Sequence, residues 1–380
     1  HLLLALFILT VNAAMAQITT SGISGKITSD GENVIGATVT AIHQPSGTVY
    51  RAVTNIDGRY TIQGMRPGGP YKVDISYIGY KDKVIKNLNL SLGETENISC
   101  SLQEDAHQLQ EVVVSGKAGL AASRTGAATS MTAEQINNMP SITHGIADVA
   151  RLNPQLTVTN SGNMSFAGVN NRYNNFMIDG AANNDVFGLA SSGNNGGQAG
   201  AQPVSMETIE QIQVSVAPFD VRQSGFTGGA INAITKSGTN QFHGSAYYYG
   251  YNQDLIGTKY PYLDGTGYAP KYQKQTQYNM GVTLGGPIIK NKLFFFANYE
   301  RTNKEYPNLY GVDSGNSKVN TEQAKDILTM LQNIAEKQGV NFNDYYSNQD
   351  IYTKSDKAGL KLDWNINEFN KFAILSLIHI

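Results

Sequence analysis

The alternation of apolar and polar positions is sharpest over residues 206–251, METIEQIQVSVAPFDVRQSGFTGGAINAITKSGTNQFHGSAYYYGY. A short helical turn at Met206 leads into a strand with Ile212, Val214 and Val216 on one face and Gln211, Gln213 and Ser215 on the other, the period of two expected of a strand. Pro218 has no N–H to give a central ladder and ends that strand. Gly225, Gly228 and Gly229 then introduce the apolar run 230–235, and residues 236–240 form a turn by composition. Residues 242–251 are aromatic, glycine-spaced and poor in charge, the character of a strand with one side on lipid or protein.

The same pattern divides the rest of the chain. Alternating runs at 23–28, 38–42, 49–54, 60–63, 71–78 and 84–90 are separated by Asp30-Gly31, Pro45-Ser46-Gly47, Asp57-Gly58 and Pro67-Gly68-Gly69, which predicts a small β-sandwich over 18–103. A polar and small-residue connector, 104–123, contains three consecutive valines, a β-prone segment between flexible flanks. Residues 124–240 read as α/β. Thr132-Ala133-Glu134-Gln135 is a capping box for a helix closed by Pro140, and Ile146, Val149 and Leu152 predict a second helix stopped by Asn153-Pro154. Short strands at 164–168 and 175–178 follow, the latter ending in Asp179-Gly180.

Beyond residue 241 the strands lengthen. Tyr278, Met280, Val282 and Leu284 alternate with Gln277, Asn279, Gly281 and Thr283, and Gly285-Gly286-Pro287 with Lys290-Asn291-Lys292 is read as the turn into 293–300. Strands of about ten residues joined by a tight turn are what transmembrane barrels show. Residues 302–356 form a long excursion in which Asn320 caps a helix ended by Gly339. Its stripe of Ala324, Ile327, Leu328, Leu331, Ile334 and Ala335 is expected to pack against its own loop. A strand resumes at 357–366, and LSLIHI at 375–380 breaks the alternation and reads as a tail. A closed outer-membrane barrel takes roughly 8 strands or more, so the chain is read as a fragment. The expected class is mainly β: an N-terminal β-sandwich, an α/β domain, and the first strands of a truncated transmembrane antiparallel β-barrel.

Residues 1–16, HLLLALFILTVNAAMA, fit the apolar core and small-residue cleavage site of a secretory signal, with cleavage between Ala16 and Gln17. A transmembrane anchor is the alternative, but the run is shorter than the ~20 residues a spanning helix needs. With 28 Lys plus Arg against 30 Asp plus Glu, the net charge of −2 provides no electrostatic reason to bind nucleic acid. Abundant Gly (39) and Tyr (21) with only 15% charge argue against disorder. Cys100 is the one cysteine, so no internal disulfide forms.

Enzyme signatures are missing. Thr235-Lys236-Ser237 lacks the glycine a phosphate loop needs before its lysine, and there is no G-x-S-x-G elbow. The histidines have no metal-ligand spacing, and His43 is expected on a strand surface. No calcium loop is spelled out around Asp179. No cofactor, metal site or catalytic activity is expected.

GGAINAITKSGTNQFHGSAYYYGY closely resembles the point in TonB-dependent outer-membrane receptors where the globular plug hands over to the first barrel strand. SGKITSDGENVIGATVTA, TNIDGRYTI and YKVDISYIGY resemble the carboxypeptidase-regulatory-like domain that precedes the plug in many Bacteroidetes receptors, and LGGPIIKNKLFFFANYER is similar to the Oar-like receptors. Leu109-Gln110-Glu111-Val112-Val113-Val114-Ser115-Gly116 resembles the TonB box, a segment able to add as a strand to a partner's sheet. Taken alone, those residues serve equally as the last strand of a folded domain.

The resemblance implies an outer-membrane location in a Gram-negative bacterium, with the N-terminal domain periplasmic and the barrel in outer-membrane lipid. It also implies energised uptake of an unidentified extracellular ligand, with TonB and its inner-membrane energising complex as partners. The plug positions singled out are Arg172, Asn175, Asp179, Gly180, Asn183, Asn184 and Asp185. Asp179 either holds a turn or touches a ligand. The Asn- and Gly-rich stretch 183–200 is either a ligand-facing apex loop or a solvated loop needing permissive dihedrals. Ala167-Gly168 stands where the family usually has Arg-Gly, a departure that fits the Oar-like branch and argues against a SusD-type lipoprotein lid. The competing reading is an outer-membrane adhesion or envelope-structure protein of the same architecture without transport.

Overall fold

A computed structural model describes residues 19–104, 112–115, 127–141, 144–158, 164–185, 187, 190, 193–216, 227–255, 274–308, 312, 318–340, 350–368 and 370–380. The signal-like stretch 1–16, with Ala16 and Gln17, lies outside them, as do Leu109, Gln110, Glu111 and Gly116. Contacts divide the chain into two compact units, one of residues 1–245, 282–299 and 357–379, the other of 246–281, 300–356 and 380.

The first unit begins with the β-sandwich. Strand β1 (Ser21–Ser29) turns through Asp30-Gly31 into the short β2 (Glu32–Asn33). It later pairs antiparallel with β5 (Arg59–Met65) and parallel with β8 (Thr95–Asn97) and β9 (Cys100–Ser101). The facing sheet contains β3 (Thr38–His43), β4 (Thr48–Val53), β6 (Gly68–Ser76) and β7 (Lys83–Leu90), with β10 (Val112–Ser115) at its edge, in the order β10-β7-β6-β3-β4. Alternation places Val39, Ala41, Tyr71, Val73 and Ile75 from one sheet against Ile23, Ile27, Tyr60 and Ile62 from the other, all buried. Each fully buried aliphatic side chain contributes about 1.5–3 kcal/mol. The phenols find acceptors at the core's edge: Tyr60 donates to the Ile98 carbonyl at 2.8 Å and Tyr71 to the Arg66 carbonyl at 2.7 Å.

Two expectations are corrected here. Of Pro67-Gly68-Gly69, only Pro67 lies between strands, while Gly68 and Gly69 already begin β6, which shifts register against β7 there. A side chain on Gly69 would collide with the Leu88 carbonyl and Asn89, so glycine permits the close approach of the two backbones. His43 is not on the surface: its parity with Val39 and Ala41 turns it into the core, where it is buried. Its Nδ1 lies 2.6 Å from Ser46 Oγ and its ring 4.9 Å from that of Tyr71.

The α/β domain is built around a sheet of order β11-β16-β17-β14-β15, from β11 (Ala127–Thr132), β14 (Asn175–Ile178), β15 (Ala181–Ala182), β16 (Ile209–Val216) and β17 (Gly229–Thr235). Helix α1 (Ala133–Asn138) has the expected capping box between Thr132 and Gln135. Helix α2 (Ile146–Ala150) ends before Leu152, which is exposed and not part of the buried stripe. A hairpin of β12 (Leu156–Val158) and β13 (Met164–Phe166) follows. Its Phe166 ring is fully buried and occupies the space where a side chain on Gly229 would stand. That close approach is why glycine is needed at the first position of β17.

The remaining sheet runs in chain order through β18 (His243–Asn252), β19 (Thr276–Ile289), β20 (Leu293–Tyr306), β21 (Ile351–Asn365) and β22 (Lys371–His379). Four readings change. Gly285-Gly286-Pro287 lies inside β19, and the turn is carried by Asn291 with φ +62. Side chains on the two glycines would meet Phe242, His243 and Phe296, so they mark packing and not a bend. β20 and β21 both reach further than expected, which shortens the excursion to 307–350. LSLIHI is no tail: Leu375, Leu377 and Ile378 sit in β22, in antiparallel register with Lys361, Gly359 and Ala358. In the second unit, helix α3 (Thr321–Lys337) is capped by Asn320 as expected, but only Ala324 of its stripe is buried, and Ile327, Leu331 and Ile334 are exposed. Among the described residues no helix is long and apolar enough to cross a membrane, which bears only on helices.

Candidate functional site

Three features of the first unit bear on function: the turn at Asp179, the joint between the α/β domain and its neighbours, and the strand at 112–115. Asp179 ends β14 with φ +45 and Gly180 follows with φ +81. This places the carboxylate beside β17. Its Oδ1 accepts the Thr235 N–H at 2.7 Å and its Oδ2 accepts the Thr235 hydroxyl at 2.6 Å. Lys361, on β21 of the long sheet, reaches the same group. Its Nζ lies 2.9 Å from Asp179 Oδ2 and donates to the Thr235 carbonyl at 3.1 Å and hydroxyl at 3.0 Å. The ammonium is almost fully buried, where an ion pair is tolerated only when further hydrogen bonds complete it. Asp179 therefore holds its turn, and with the same oxygens it clamps the α/β domain to a long-sheet strand.

The other singled-out residues are largely committed to their own loop. Asn175 is buried, its Oδ1 accepting from Asn184 Nδ2 at 3.0 Å, while Asn184 Oδ1 accepts the Phe176 N–H at 2.8 Å. The Asn183 N–H donates to the Phe176 carbonyl at 2.7 Å. Asp185 accepts the N–H groups of Phe187 and Ala190, and its own N–H donates to the Gly193 carbonyl. These are loop-building bonds of the kind Asn and Asp favour. Arg172, in a short turn capped by the Asn170 side chain, is exposed. Within the same stretch Gly196 stands so close to the His379 ring, at the end of β22, that a side chain there would clash. The opposite end of β22 bears Lys371, whose Nζ lies 3.3 Å from the centre of the Tyr50 ring in the sandwich. The loop and the sandwich thus occupy opposite ends of that strand.

Pattern alone missed the joint itself. The polar face of β16 is as buried as its apolar face. Gln211 Nε2 donates to the Leu90 carbonyl at 3.0 Å, its Oε1 accepts the Leu92 N–H at 2.8 Å, and Gln213 Nε2 donates to the Leu92 carbonyl at 2.9 Å. The glutamines complete the backbone of the sandwich as another strand would. Arg66 of the sandwich pairs with Asp363 of β21 at 3.2 Å, and exposed Arg51 pairs with Glu368 at 2.7 Å. A cavity of about 950 Å³ opens between these elements, lined among others by His43, Tyr50, Arg66, Glu210, Asp179 and Lys361.

Burial and then Arg66 push the His43 imidazole down to about 3, so it is neutral. Burial raises the Glu210 carboxyl, against the pull of Lys236, Arg66, Lys361 and His243. Among the described residues no group of three His, Cys, Asp or Glu side chains is placed to hold a metal.

The third feature is β10. Val112, Val113, Val114 and Ser115 form a strand parallel to β7, opposite Lys83, Val84, Ile85 and Lys86. Of the expected partner-binding segment, residues 112–115 are, in this structure, the edge strand of the first domain's sheet.

Residues 22–103 match the model of the carboxypeptidase regulatory-like domain, 121–231 that of the TonB-dependent receptor plug domain, and 234–314 that of an outer membrane β-barrel domain. The chain is 29% identical over 259 residues to the TonB-dependent transporter Oar of Myxococcus xanthus, covering 65% of this chain and 23% of that one. It is 25% identical over 188 residues to a probable TonB-dependent siderophore receptor, PirA, of Acinetobacter baumannii, covering 45% and 22%. The crystal structure of the siderophore receptor PirA from Acinetobacter baumannii matches with a TM-score of 0.42 at 19% identity, over 67% of this chain and 31% of that one. The chain spans less than a quarter of the length of the two sequence relatives.

Proposed function

We propose, from the premise that this chain belongs to the TonB-dependent outer-membrane receptors, that the protein takes up a ligand across the outer membrane using energy delivered through TonB. The observation that carries the reading is the clamp of Asp179, Thr235 and Lys361. On this reading the clamp is a discrete set of polar bonds between the plug and a strand of the long sheet that can be broken and remade during uptake. The loop at 183–200 stands at the far end of β22 from the sandwich, which supports assigning it to the ligand side and the sandwich to the periplasm. On this reading Arg172 is the plug residue available to a ligand, while Asn175, Asn183, Asn184 and Asp185 shape its loop. Gly180 supplies the backbone of the clamp. Residues 109–116 are the segment TonB pairs with, and the inner-membrane energising complex supplies the force. The reading assigns the protein no catalysis and no cofactor.

The test is a Val113→Pro variant of the full-length receptor, which removes one ladder donor. The expected outcome is loss of binding to the isolated C-terminal domain of TonB with outer-membrane abundance unchanged. Undiminished binding overturns the role given to 109–116.

A further inference from the structure

We propose that the cavity between the sandwich, the plug and the long sheet is a binding site for an α-amino acid, held as a zwitterion by Arg66, Asp363 and Lys371. The site is separate from the loop at 183–200, and the inference does not depend on the uptake reading.

Two walls define it. Asp363 and Asn365 are two residues apart on β21, and Lys371 of β22 is opposite Asn365 in register, so the three share one face of the hairpin. That face is set against the sandwich by three contacts. Asn365 Nδ2 donates to Thr48 Oγ1 at 2.9 Å, Arg66 lies 3.2 Å from Asp363 Oδ1, and Lys371 Nζ lies 3.3 Å from the centre of the Tyr50 ring. The cavity of about 950 Å³ beside them has the volume of a small-molecule site.

The charges left over in its lining define the occupant. Asp179 and Lys361 match each other, as do Arg51 and Glu368. The Glu210 carboxyl, raised by burial, is drawn back first by Lys236. Asp363 and Lys371 are not so completed. Asp363 is 6% exposed, and its Oδ2 is buried with no hydrogen-bond partner among the described residues, a costly state for an acceptor. The Lys371 ammonium rests on a ring face, with no carboxylate at ion-pair distance among the described residues.

A simple cation would supply Asp363 Oδ2 but would meet Arg66, Lys361 and Lys371 in the same walls. A simple anion would suit Arg66 and Lys371 but leave Asp363 Oδ2 without a donor. An α-amino acid meets both demands. Its ammonium donates to Asp363 Oδ2, and its carboxylate accepts from Lys371 and from the guanidinium N–H groups of Arg66 that face away from Asp363. The 3.2 Å between Arg66 and Asp363 suits two charges one carbon apart and not the distant termini of a peptide. Because one wall belongs to the sandwich and the other to the long sheet, the occupant also strengthens their contact.

The test is calorimetry on the full-length receptor in detergent. The probe is L-glutamine, since Thr61, Gln63 and Ser237 in the lining suit a polar side chain, compared with its analogues lacking the α-amino group or the α-carboxylate. Saturable binding of glutamine is expected, with each analogue at least about tenfold weaker. Asp363→Asn and Lys371→Met are each expected to weaken glutamine at least about tenfold. Lys371→Met leaves the Arg66–Asp363 pair in place, so its effect is not a loss of docking. Glutamine is also expected to slow hydrogen exchange over β4 and residues 363–368 of the wild type. No saturable binding overturns the site. An analogue that binds as well as glutamine overturns the zwitterion and leaves a plain anion or cation site. Glutamine that binds Lys371→Met as tightly as the wild type, or slows no exchange in those strands, binds elsewhere and overturns the assignment.

Discussion

The sandwich and the plug bury polar groups to similar depth, but they satisfy them from different sources. In the sandwich, His43 meets Ser46 at 2.6 Å and Ser46 meets Thr48 at 2.7 Å inside one domain, and a neighbour enters only at the end of the series, where Asn365 donates to Thr48 Oγ1 at 2.9 Å. In the plug, Gln211 and Gln213 are completed by the sandwich, and Asp179 and Thr235 by Lys361 from the long sheet. The sandwich therefore keeps its apolar core to itself and depends on the plug only at the Leu90 and Leu92 backbone. The plug holds its shape only with neighbours on either side, because a buried polar group costs most when its partner is withdrawn. A domain built in the first way keeps its bonds when a neighbour moves, and one built in the second way loses them.

The contrast is broken most directly at Lys361. Lys361→Met leaves the half-buried Asp179 carboxylate without its cation, a loss below the about 3–5 kcal/mol of a fully buried pair that loses one member. Faster hydrogen exchange in 175–179 and 230–235 of the full-length receptor, with the sandwich unchanged, is the expected readout. Adding Asp179→Leu removes the stranded charge and recovers part of the loss. Equal exchange in the wild type and the single variant would show that the clamp holds nothing.

The complementary effect belongs to the sandwich and is read by pH. The folded pKa of His43 is depressed from 6.5 to about 3, so between those values the unfolded chain binds the additional proton. The imidazole's contribution is complete above pH 6.5 and is lost as the pH drops toward 3, the loss reaching about 2 kcal/mol at pH 5. A His43→Gln variant whose sandwich lost protection over that window as steeply as the wild type would rule the imidazole out as the cause.

What the sequence made legible follows the same division. Sandwich strands were readable from period-two alternation and turn residues, since each domain face there has a single environment. The capping boxes at Thr132 and Asn320 were readable because a cap is local. The errors arose where a residue answers to something distant. His43 was placed outside because histidine is polar, although its parity with Val39 pointed inward. Glycines at 285 and 286 looked like a turn, because their packing against Phe242, His243 and Phe296 is invisible along the chain. Gln211 and Gln213 read along the chain only as the polar face of a strand for the same reason: their partners lie in a different domain. Asp179 stands out in the sequence as either a turn or a ligand residue, but its cation comes from a strand far along the chain. The α3 stripe has the periodicity of a packed face and is exposed all the same.

Two smaller substitutions sharpen the comparison at the joint. Gln211→Leu orphans the Leu92 N–H and withdraws a donor from the Leu90 carbonyl, at a cost of about 1–2 kcal/mol. The expected signature is increased exchange at Leu92 and in β16 with the rest of the sandwich core unchanged. A change spread evenly through the sandwich would mean that its stability is not local after all.

The smallest effect has the opposite sign. Glu210 lies beside that joint, its carboxyl raised by burial and only partly compensated by Lys236, Arg66, Lys361 and His243. For an acid raised in the folded state, stability is complete below the unfolded pKa and is lost as the pH rises through the folded one. Glu210→Gln removes the charge that burial opposes, so it should protect β16 against exchange at neutral pH. The gain should shrink toward pH 4, where the wild-type carboxyl is itself neutral. If the variant is instead less protected at neutral pH, the surrounding cations outweigh burial. The joint would then be an electrostatic bond like the Lys361 clamp, and not a neutral amide contact in which one carboxyl is out of place.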